Sequence, residues 1–351
     1  MSNILSDSFA GSRVLVTGHT GFKGSWLVKY LSHLGARVTG LSLDPLEDSL
    51  YLGGGFIPNN GDFRIDIRDE ERMKEFFENN EFDIVFHLAA QPLVSLAYSN
   101  PLETFEVNSI GTSRVVLYSS KMVSCKGIVV VTTDKVYKPN DKLDGHREGD
   151  ALGGLDPYSA SKSAAELLVV GIRNVINRND FKIVSVRAGN VIGGGDLAAN
   201  RLVPDLVRAL KMNTILVLRN PSYVRPWMHV LDVLNGYLIV GQRILLSQDV
   251  SEAYNFGPDN SEIVDVSQIV EYAIKHWEGE GSLKVNHIPS RLLEDHFLLL
   301  NSELAKKELK WRAKYSIETS IMQTMSWWKE CFQNQNPAQL VEDEVAKYES
   351  N

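Results

Sequence analysis

Short apolar runs alternate with longer amphipathic stretches through the first half of the chain. The short runs are rich in β-branched residues, which favour strands, whereas the longer stretches space their apolar residues as a helix does. This alternation predicts a parallel sheet flanked by helices, an α/β fold of the Rossmann-like, doubly wound type. The strand-like runs are residues 14–16, 37–43, 84–89, 128–132 and 183–186, and the first helical stretch is 26–34, with Gly35 as its expected left-handed cap.

The pattern loosens after Asn190 into glycine-rich and Pro/Arg/Trp-rich segments, the loop-dominated kind of chain in which binding residues collect. Amphipathic helices are predicted at residues 201–211, 264–277 and 316–332. We therefore expect two lobes and a tail. They are a dinucleotide-binding domain of residues 1–189 with about 229–255, a smaller, mostly C-terminal substrate-binding lobe of 190–228 and 256–332, and a polar, peripheral or disordered tail of 333–351.

A Gly-x-x-Gly-x-x-Gly loop follows the first apolar run directly and leads into the first helix. Gly18, Gly21 and Gly24 permit a tight turn and close backbone approach to a pyrophosphate, whose charge sits well at a helix N-terminus. The alternative is a purely structural glycine turn. The strand, turn and helix around the motif favour a dinucleotide site.

Asp44 closes the second predicted strand, where a carboxylate binds the ribose hydroxyls of NAD. The competing interpretation is that Asp44 only begins an Asp-Pro turn. Because no arginine follows the strand at once to accept a 2′-phosphate, we expect NAD rather than NADP. Farther along, Asp66 and Ile67 are placed to flank the adenine, and the small residues at 88–91 end the strand-like run 84–89 beside the cofactor.

Two sets of chemically active residues lie close together in sequence. Thr133, Asp134 and Lys135 follow the strand-like run 128–132, and Tyr158 and Lys162 stand at i and i+4 on a helix that begins at Pro157. We expect the Lys162 ammonium to lower the pKa of the Tyr158 phenol, which makes Tyr158 a candidate base. By chance alone such a Tyr-x-x-x-Lys pair arises on surface helices, and Asp134 with Lys135 can form an ordinary ion pair.

Composition limits the other possibilities. With 44% hydrophobic residues among 351, the chain can bury a large core. A net charge of −8 and the absence of a basic block disfavour a nucleic-acid partner. Two cysteines without paired Cys/His spacing argue against disulfides and a metal site, and no apolar run is long enough to cross a membrane. Since no signal-peptide pattern opens the chain either, a cytoplasmic enzyme is the expectation.

Motifs spread over the whole chain resemble the extended short-chain dehydrogenase/reductases that act on nucleotide sugars, the NAD-dependent epimerase/dehydratase family. Within it the chain looks most like the 4,6-dehydratases, and the substrate that this resemblance implies is CDP-glucose. The supporting strings are residues 16–26, 87–94, 133–135, 153–159, 187–196, 219–221 and 225–227.

The resemblance implies that Tyr158, with Lys162 and Thr133, oxidises the sugar at C4. Asp134 and Lys135 would then remove water across C5 and C6, with Asp134 as acid and Lys135 as C5 base. It implies NAD contacts from Gly18, Thr20, Gly21, Phe22, Lys23, Gly24, Asp44, Asp66, Ile67, Leu88, Ala89, Ala90, Gln91, Asn108, Thr132, Tyr158 and Lys162. The implied substrate contacts are Gln91, Asn190, Arg201, Leu202, Arg225, Glu294 and His296.

The same resemblance implies a homodimer in which helices near 101–122 and 157–176 form a four-helix bundle. Alternatives from the sequence are a dehydratase for UDP-N-acetylhexosamine or dTDP-glucose, a nucleotide-sugar 4-epimerase, or a non-catalytic dinucleotide-binding module. An epimerase has no need of the water-eliminating pair Asp134 and Lys135. A binding module has no need of Tyr158 and Lys162 at catalytic spacing.

Overall fold

The computed structural model describes residues 2–47, 49–140, 142–259, 262–277, 283–288 and 296–350. Its strands are β1 Arg13–Thr17, β2 Arg37–Ser42, β3 Gly61–Arg64, β4 Ile84–His87, β5 Gly127–Val131, β6 Lys182–Ala188, β7 Asn190–Ile192, β8 Leu216–Leu218, β9 Val224–Arg225, β10 Trp227–His229, β11 Ala253–Phe256, β12 Val264–Asp265 and β13 Val285–His287. In this part of the chain, seven strands form one sheet in the order β11-β6-β5-β4-β1-β2-β3, and every neighbouring pair is parallel.

Helices cover the sheet and build the rest of the molecule. They are α1 Ser2–Phe9, α2 Phe22–His33, α3 Leu50–Gly54, α4 Glu70–Glu78, α5 Val94–Ser99, α6 Pro101–Phe105, α7 Thr112–Lys121, α8 Pro157–Arg173, α9 Leu202–Met212, α10 Val230–Leu245, α11 Val266–Trp277, α12 Ile317–Phe332 and α13 Pro337–Ser350. Single turns of other types occur as well, a 3₁₀ turn at Asp134–Val136 and π-helical turns at Glu106–Gly111 and Ala305–Leu309. No helix in the described ranges is long and apolar enough to span a bilayer.

The hydrophobic pattern predicted the Rossmann-like sheet correctly. All five residues of β5 are buried, as expected for a parallel strand covered on both faces. Helix α2 ends at His33, and Gly35 follows with φ +79°, the left-handed conformation predicted for its cap. Strand β11, from the 229–255 stretch, pairs with β6 at the sheet edge. The division into two lobes stays a prediction.

The expectation of a polar tail after residue 332 is wrong. Residues 337–350 form α13, whose Leu340, Val341, Val345 and Tyr348 are buried. The Tyr348 hydroxyl donates to Asp232 Oδ1 at 2.8 Å, which joins α13 to α10. These apolar positions, spaced along a segment in which polar and charged residues are as frequent as apolar ones, suffice for a buried helical stripe.

Parallel pairing brings the carboxyl ends of the central strands to one edge of the sheet, where ligands bind in folds of this type. The glycine loop follows β1 there, Leu88 follows β4, Thr132 follows β5 and Asn190 follows β6. The residues singled out by the sequence thus reach the same edge from four different strands.

Candidate active site

A cavity of about 370 Å³ opens at this edge, between the sheet and the segments that follow β6. Sequence-predicted residues from both chemical sets lie in its wall. They are Phe22, Lys23, Leu88, Ala90, Thr132, Thr133, Asp134, Lys135, Tyr158, Lys162, Asn190, Arg201, Leu202 and Arg225.

The glycine loop is built for close backbone approach. Gly18 has φ +71°, and a Cβ there would lie 2.6 Å from the amide nitrogen of Ala89. A Cβ on Gly24 would lie 2.2 Å from the carbonyl oxygen of Gly18, so the start of α2 packs directly on the turn. The resulting cradle at a helix N-terminus fits a dinucleotide pyrophosphate.

The ribose end of this cradle lies beside β2 and β3. Thr20 Oγ1 is 2.8 Å from Ser42 Oγ, which ties the glycine loop to the end of β2. Asp44 is exposed, and its Oδ1 lies 3.5 Å from Arg64 Nε. An arginine therefore does stand beside the carboxylate, although it comes from β3 rather than from the turn after β2. The sequence spacing could not reveal this contact, because Asp44 and Arg64 come together only through the pairing of β2 with β3. Arg64 also pairs with Asp62.

Three other residues predicted to contact the cofactor are Asp66, Ile67 and Asn108. Asp66 is held by the guanidinium of Arg68, and Ile67 is buried against the π-helical turn. Asn108, in that turn, is also buried. Its Oδ1 accepts from the Gln91 amide at 2.8 Å and its Nδ2 donates to Ser161 Oγ at 2.9 Å. The Asn108 amide thus fixes the segment after β4 against α8.

Thr133 and Asp134 are buried at the head of the 3₁₀ turn. The Thr133 hydroxyl donates to Asp134 Oδ1 at 2.8 Å, while Asp134 Oδ2 has no hydrogen-bond partner among the described residues. Burial raises the pKa of the Asp134 carboxyl above its ordinary value, against the opposing charge of Lys135. A buried carboxyl in a cavity wall, with one oxygen unpaired among the described residues, can donate a proton.

Tyr158 and Lys162 lie in the first two turns of α8, which Asp156 caps by accepting from the Tyr158 and Ser159 amides. Lys162 Nζ donates to the Val131 carbonyl at 3.2 Å. Burial lowers the pKa of Lys162 to about 7, and the charge of Lys23 adds to that effect.

The expected lowering of the Tyr158 pKa is not what the protein alone produces. Burial raises the pKa of the phenol to about 12, although Arg201 and a hydrogen bond with Thr133 oppose the rise. Lys162 contributes little because its own ammonium is buried and loses its proton near neutral pH. Desolvation therefore outweighs the attraction predicted from the i, i+4 spacing.

Three cationic groups line the cavity, one from the glycine loop and two from the segments that follow β6. Arg201 Nη1 lies 3.2 Å from Asp196 Oδ2, and Arg225 is buried in β9. Lys23 reaches toward them from the first turn of α2, where burial and then the Arg201 charge lower its pKa to about 8. Two guanidinium groups and an ammonium in one cavity suit a diphosphate.

His296, predicted to contact the nucleotide, is exposed and packs on Tyr223 with the ring centres 5.1 Å apart. Its carbonyl accepts from the Val224 amide at 3.0 Å, so the segment it starts runs beside β9. Glu294 lies outside the described residues.

Comparison with known proteins agrees with this architecture. A family model described as the NAD dependent epimerase/dehydratase family matches residues 14–257. The chain belongs to this family. It is 37% identical to CDP-glucose 4,6-dehydratase of Salmonella typhimurium over 97% of both chains. It is 28% identical to dTDP-D-glucose 4,6-dehydratase of Bos taurus, over 93% of this chain and 91% of that one.

A solved structure shares the fold. The dTDP-glucose 4,6-dehydratase of Bacillus anthracis, crystallised in complex with NAD, superimposes with a TM-score of 0.75 at 22% identity. The match covers 93% of this chain and 100% of that one. Membership in the family makes the chain an NAD-dependent enzyme of the epimerase/dehydratase type, and the glycine cradle fits that cofactor.

Several wall residues of this family member were not predicted from its sequence. The cavity is also lined by Asp196, Asn200, Arg219, Asn220 and Tyr223. The signal available was the clustering of glycine, asparagine and arginine on both sides of the predicted helix at 201–211. That composition indicates a binding region but does not show which of its residues line the cavity.

Proposed function

We propose that this protein is a CDP-glucose 4,6-dehydratase, which converts CDP-D-glucose to CDP-4-keto-6-deoxy-D-glucose. One observation carries the proposal: a buried acid, Asp134, shares a cavity wall with Tyr158 and Lys162. Similarity over nearly the whole chain to a CDP-glucose 4,6-dehydratase supports it.

Oxidation at C4 falls to the residues at the start of α8. NAD, when bound in the glycine cradle, supplies the hydride acceptor and a positively charged ring. Tyr158 accepts the proton of the 4-hydroxyl as C4 is oxidised, and Thr133 orients the phenol. Because the protein alone raises the pKa of Tyr158 to about 12, this proton transfer requires positive charge from the cofactor side of the cavity.

Elimination falls to the 3₁₀ turn. The C4 ketone acidifies the C5 proton, which Lys135 removes, and Asp134 gives its proton to the departing 6-hydroxyl so that water leaves. The raised pKa of Asp134 keeps the carboxyl in the protonated form that this step needs. When hydride returns to C6, Lys135 returns a proton to C5, and the proton held by Tyr158 restores Asp134 through solvent.

Substrate binding is assigned to the cavity residues that follow β6. Arg201 and Arg225 pair with the diphosphate, and Asn190 and Leu202 complete that side of the cavity. Gln91, Glu294 and His296 remain proposed contacts with the substrate. The product is a 4-keto-6-deoxy sugar nucleotide, which suits the cytoplasmic synthesis of deoxysugars for a polysaccharide such as O-antigen in lipopolysaccharide.

A homodimer is also proposed. An apolar hollow on the outer face of α6, the π-helical turn and α8 is lined by Leu102, Phe105, Ile110, Leu167 and Leu168 among others. Leu102 is 79% exposed and Leu167 60% exposed, which is unusual for neighbouring leucines on a monomer. These are the helices predicted to pair across a two-fold axis, and their apolar face supports that pairing.

The proposal is tested by incubating purified protein, with and without added NAD, with CDP-glucose and separately with UDP-glucose, UDP-N-acetylglucosamine and dTDP-glucose. Mass spectrometry then follows the loss of one water. Loss from CDP-glucose alone is the expected result. Loss from another nucleotide sugar instead would reassign the substrate, and conversion to an isomer of equal mass would indicate an epimerase.

A further inference from the structure

A buried ion pair lies directly behind the catalytic wall. Glu166 on α8 and Arg187 on β6 are each less than 5% exposed. Arg187 Nε donates to Glu166 Oε1 at 2.8 Å and Nη2 donates to Oε2 at 2.7 Å. Neither group lines the cavity. Although burial opposes ionisation, the two-pronged contact with Arg187 holds the pKa of Glu166 below its ordinary value.

This pair grips the 3₁₀ turn on both sides. Before the turn, Thr132 Oγ1 donates to Glu166 Oε1 at 2.6 Å. After the turn, Arg187 Nη1 donates to the Tyr137 hydroxyl at 2.8 Å, and that hydroxyl donates to Asn255 Oδ1 at 2.6 Å. The residues between, 133–136, hold the acid and base of the elimination step.

The same pair is built into the helix of the oxidation step. Glu166 follows Lys162 by four residues and Tyr158 by eight, so it lies ~6 Å and ~12 Å farther along the axis of α8. One ion pair is thus bonded to the turn that carries Asp134 and forms part of the helix that carries Tyr158. It fixes the distance between the two chemical sets.

The two sets depend on this link unequally. Tyr158 and Lys162 are held by a regular helix with its own Asp156 cap and by the bond to Val131. Residues 134–136, in contrast, form one 3₁₀ turn. At the end of this turn the Val136 carbonyl accepts hydrogen bonds from the Ser163 hydroxyl and the Gly153 amide. Loss of the ion pair should displace the turn more than the helix.

We propose that Glu166 and Arg187 are positioning residues that hold Asp134 and Lys135 in register with Tyr158 and Lys162, so that elimination follows oxidation without release of the intermediate. This rests on the proposed dehydratase function. A displacement of ~1 Å at a reacting group costs on the order of 100-fold in rate. Weakening the ion pair therefore slows water loss more than it slows oxidation, which uses Thr133 from the turn but otherwise depends on the helix.

The test uses Glu166→Gln, which keeps the shape of the side chain and removes its charge, and Tyr137→Phe, which removes only one hydroxyl at the other end of the network. Each NAD-loaded variant is mixed with CDP-glucose. Near-ultraviolet absorbance follows reduced nicotinamide, and mass spectrometry follows the 4-keto sugar before and after water loss. Asp232→Asn is the control, because Asp232 is another buried acid, bonded to α13 and the Lys314 amide and remote from the cavity.

In E166Q we expect reduced nicotinamide and an undehydrated 4-keto sugar to accumulate, with water loss about 100-fold slower and oxidation changed by less than about fivefold. Y137F should show the same signature more weakly, and it remains the test if E166Q does not fold. D232N should lose thermal stability without accumulating reduced nicotinamide.

Two outcomes separate the possible failures. If the wild-type protein is active but oxidation and water loss fall together in the variants, or neither rate changes, the positioning role is overturned and the dehydratase proposal stands. Wild-type protein that removes water from no nucleotide sugar overturns the dehydratase proposal, and this inference with it.

Discussion

Replacing Asp134 with Asn separates the two halves of the proposed reaction. The side chain keeps its size, and the amide oxygen can still accept from the Thr133 hydroxyl that lies 2.8 Å from Oδ1. What is lost is the carboxyl proton. Since the residue touches no element of the glycine cradle by hydrogen bond, we expect NAD binding and oxidation at C4 to survive.

The expected magnitude follows from the loss of a general acid. Such a group contributes roughly 100- to 10,000-fold to a rate, or ~3 to 5 kcal/mol in activation free energy. Water loss in D134N should therefore fall by at least about 100-fold while reduced nicotinamide accumulates in a single turnover. Mass spectrometry of the quenched reaction should show the 4-keto sugar with its 6-hydroxyl retained.

Thermal unfolding gives an independent check of the same carboxyl. Because burial raises its folded pKa above the unfolded value, the folded state binds the proton more tightly, and stability is lost as pH rises through the folded pKa. D134N lacks this cost, so its melting temperature relative to wild type should rise with pH above about 4. The reasoning is refuted if D134N abolishes formation of reduced nicotinamide, or if it dehydrates at the wild-type rate.

Three further predictions concern other parts of the molecule. Asp44→Asn should weaken NAD binding and improve NADP binding by roughly 10- to 100-fold in ratio, since the carboxylate that repels a 2′-phosphate is removed while Arg64, still paired with Asp62, stays beside it; titration of both cofactors measures this. An unchanged ratio would show that Arg64 does not reach the ribose. Leu167→Glu should convert a dimer to a monomer in sedimentation experiments, and a wild-type monomer would remove the dimer proposal. Glu344→Gln should gain stability over wild type between about pH 4.5 and 8, by up to a few kcal/mol, because burial raises the pKa of Glu344 to about 8; a pH-independent difference in melting temperature would contradict this.

The sheet was predictable because its signals are local. Buried parallel strands such as β5 have continuous apolar runs, and the glycine loop after β1 has a fixed spacing that only a strand–turn–helix arrangement accommodates. By contrast, α13 was missed because its stripe of apolar residues is thin and is buried only by partners far away in the sequence, such as Asp232.

The meeting of the proposed catalytic residues in one cavity was predictable for a different reason. Tyr158 and Lys162 lie on one helix, and Asp134 follows strand β5, so spacing alone places them at one edge. Their charge states could not be predicted from the sequence, because the pKa of Tyr158 depends on how completely the phenol is buried, and the whole fold determines that burial. The contact of Arg64 with Asp44 and the Glu166–Arg187 pair were also not predictable from the sequence, because in each case the two partners lie on different elements that meet only in the folded chain.

The central claim is that hydride removed from C4 returns to C6 of the same sugar. The direct measurement uses CDP-glucose deuterated at C4, NAD-loaded protein and NMR of the product. Deuterium at C6, with a solvent proton at C5, is the predicted result. Deuterium returned to C4 would indicate an epimerase, and a 6-deoxy product without deuterium at C6 would contradict the internal hydride transfer.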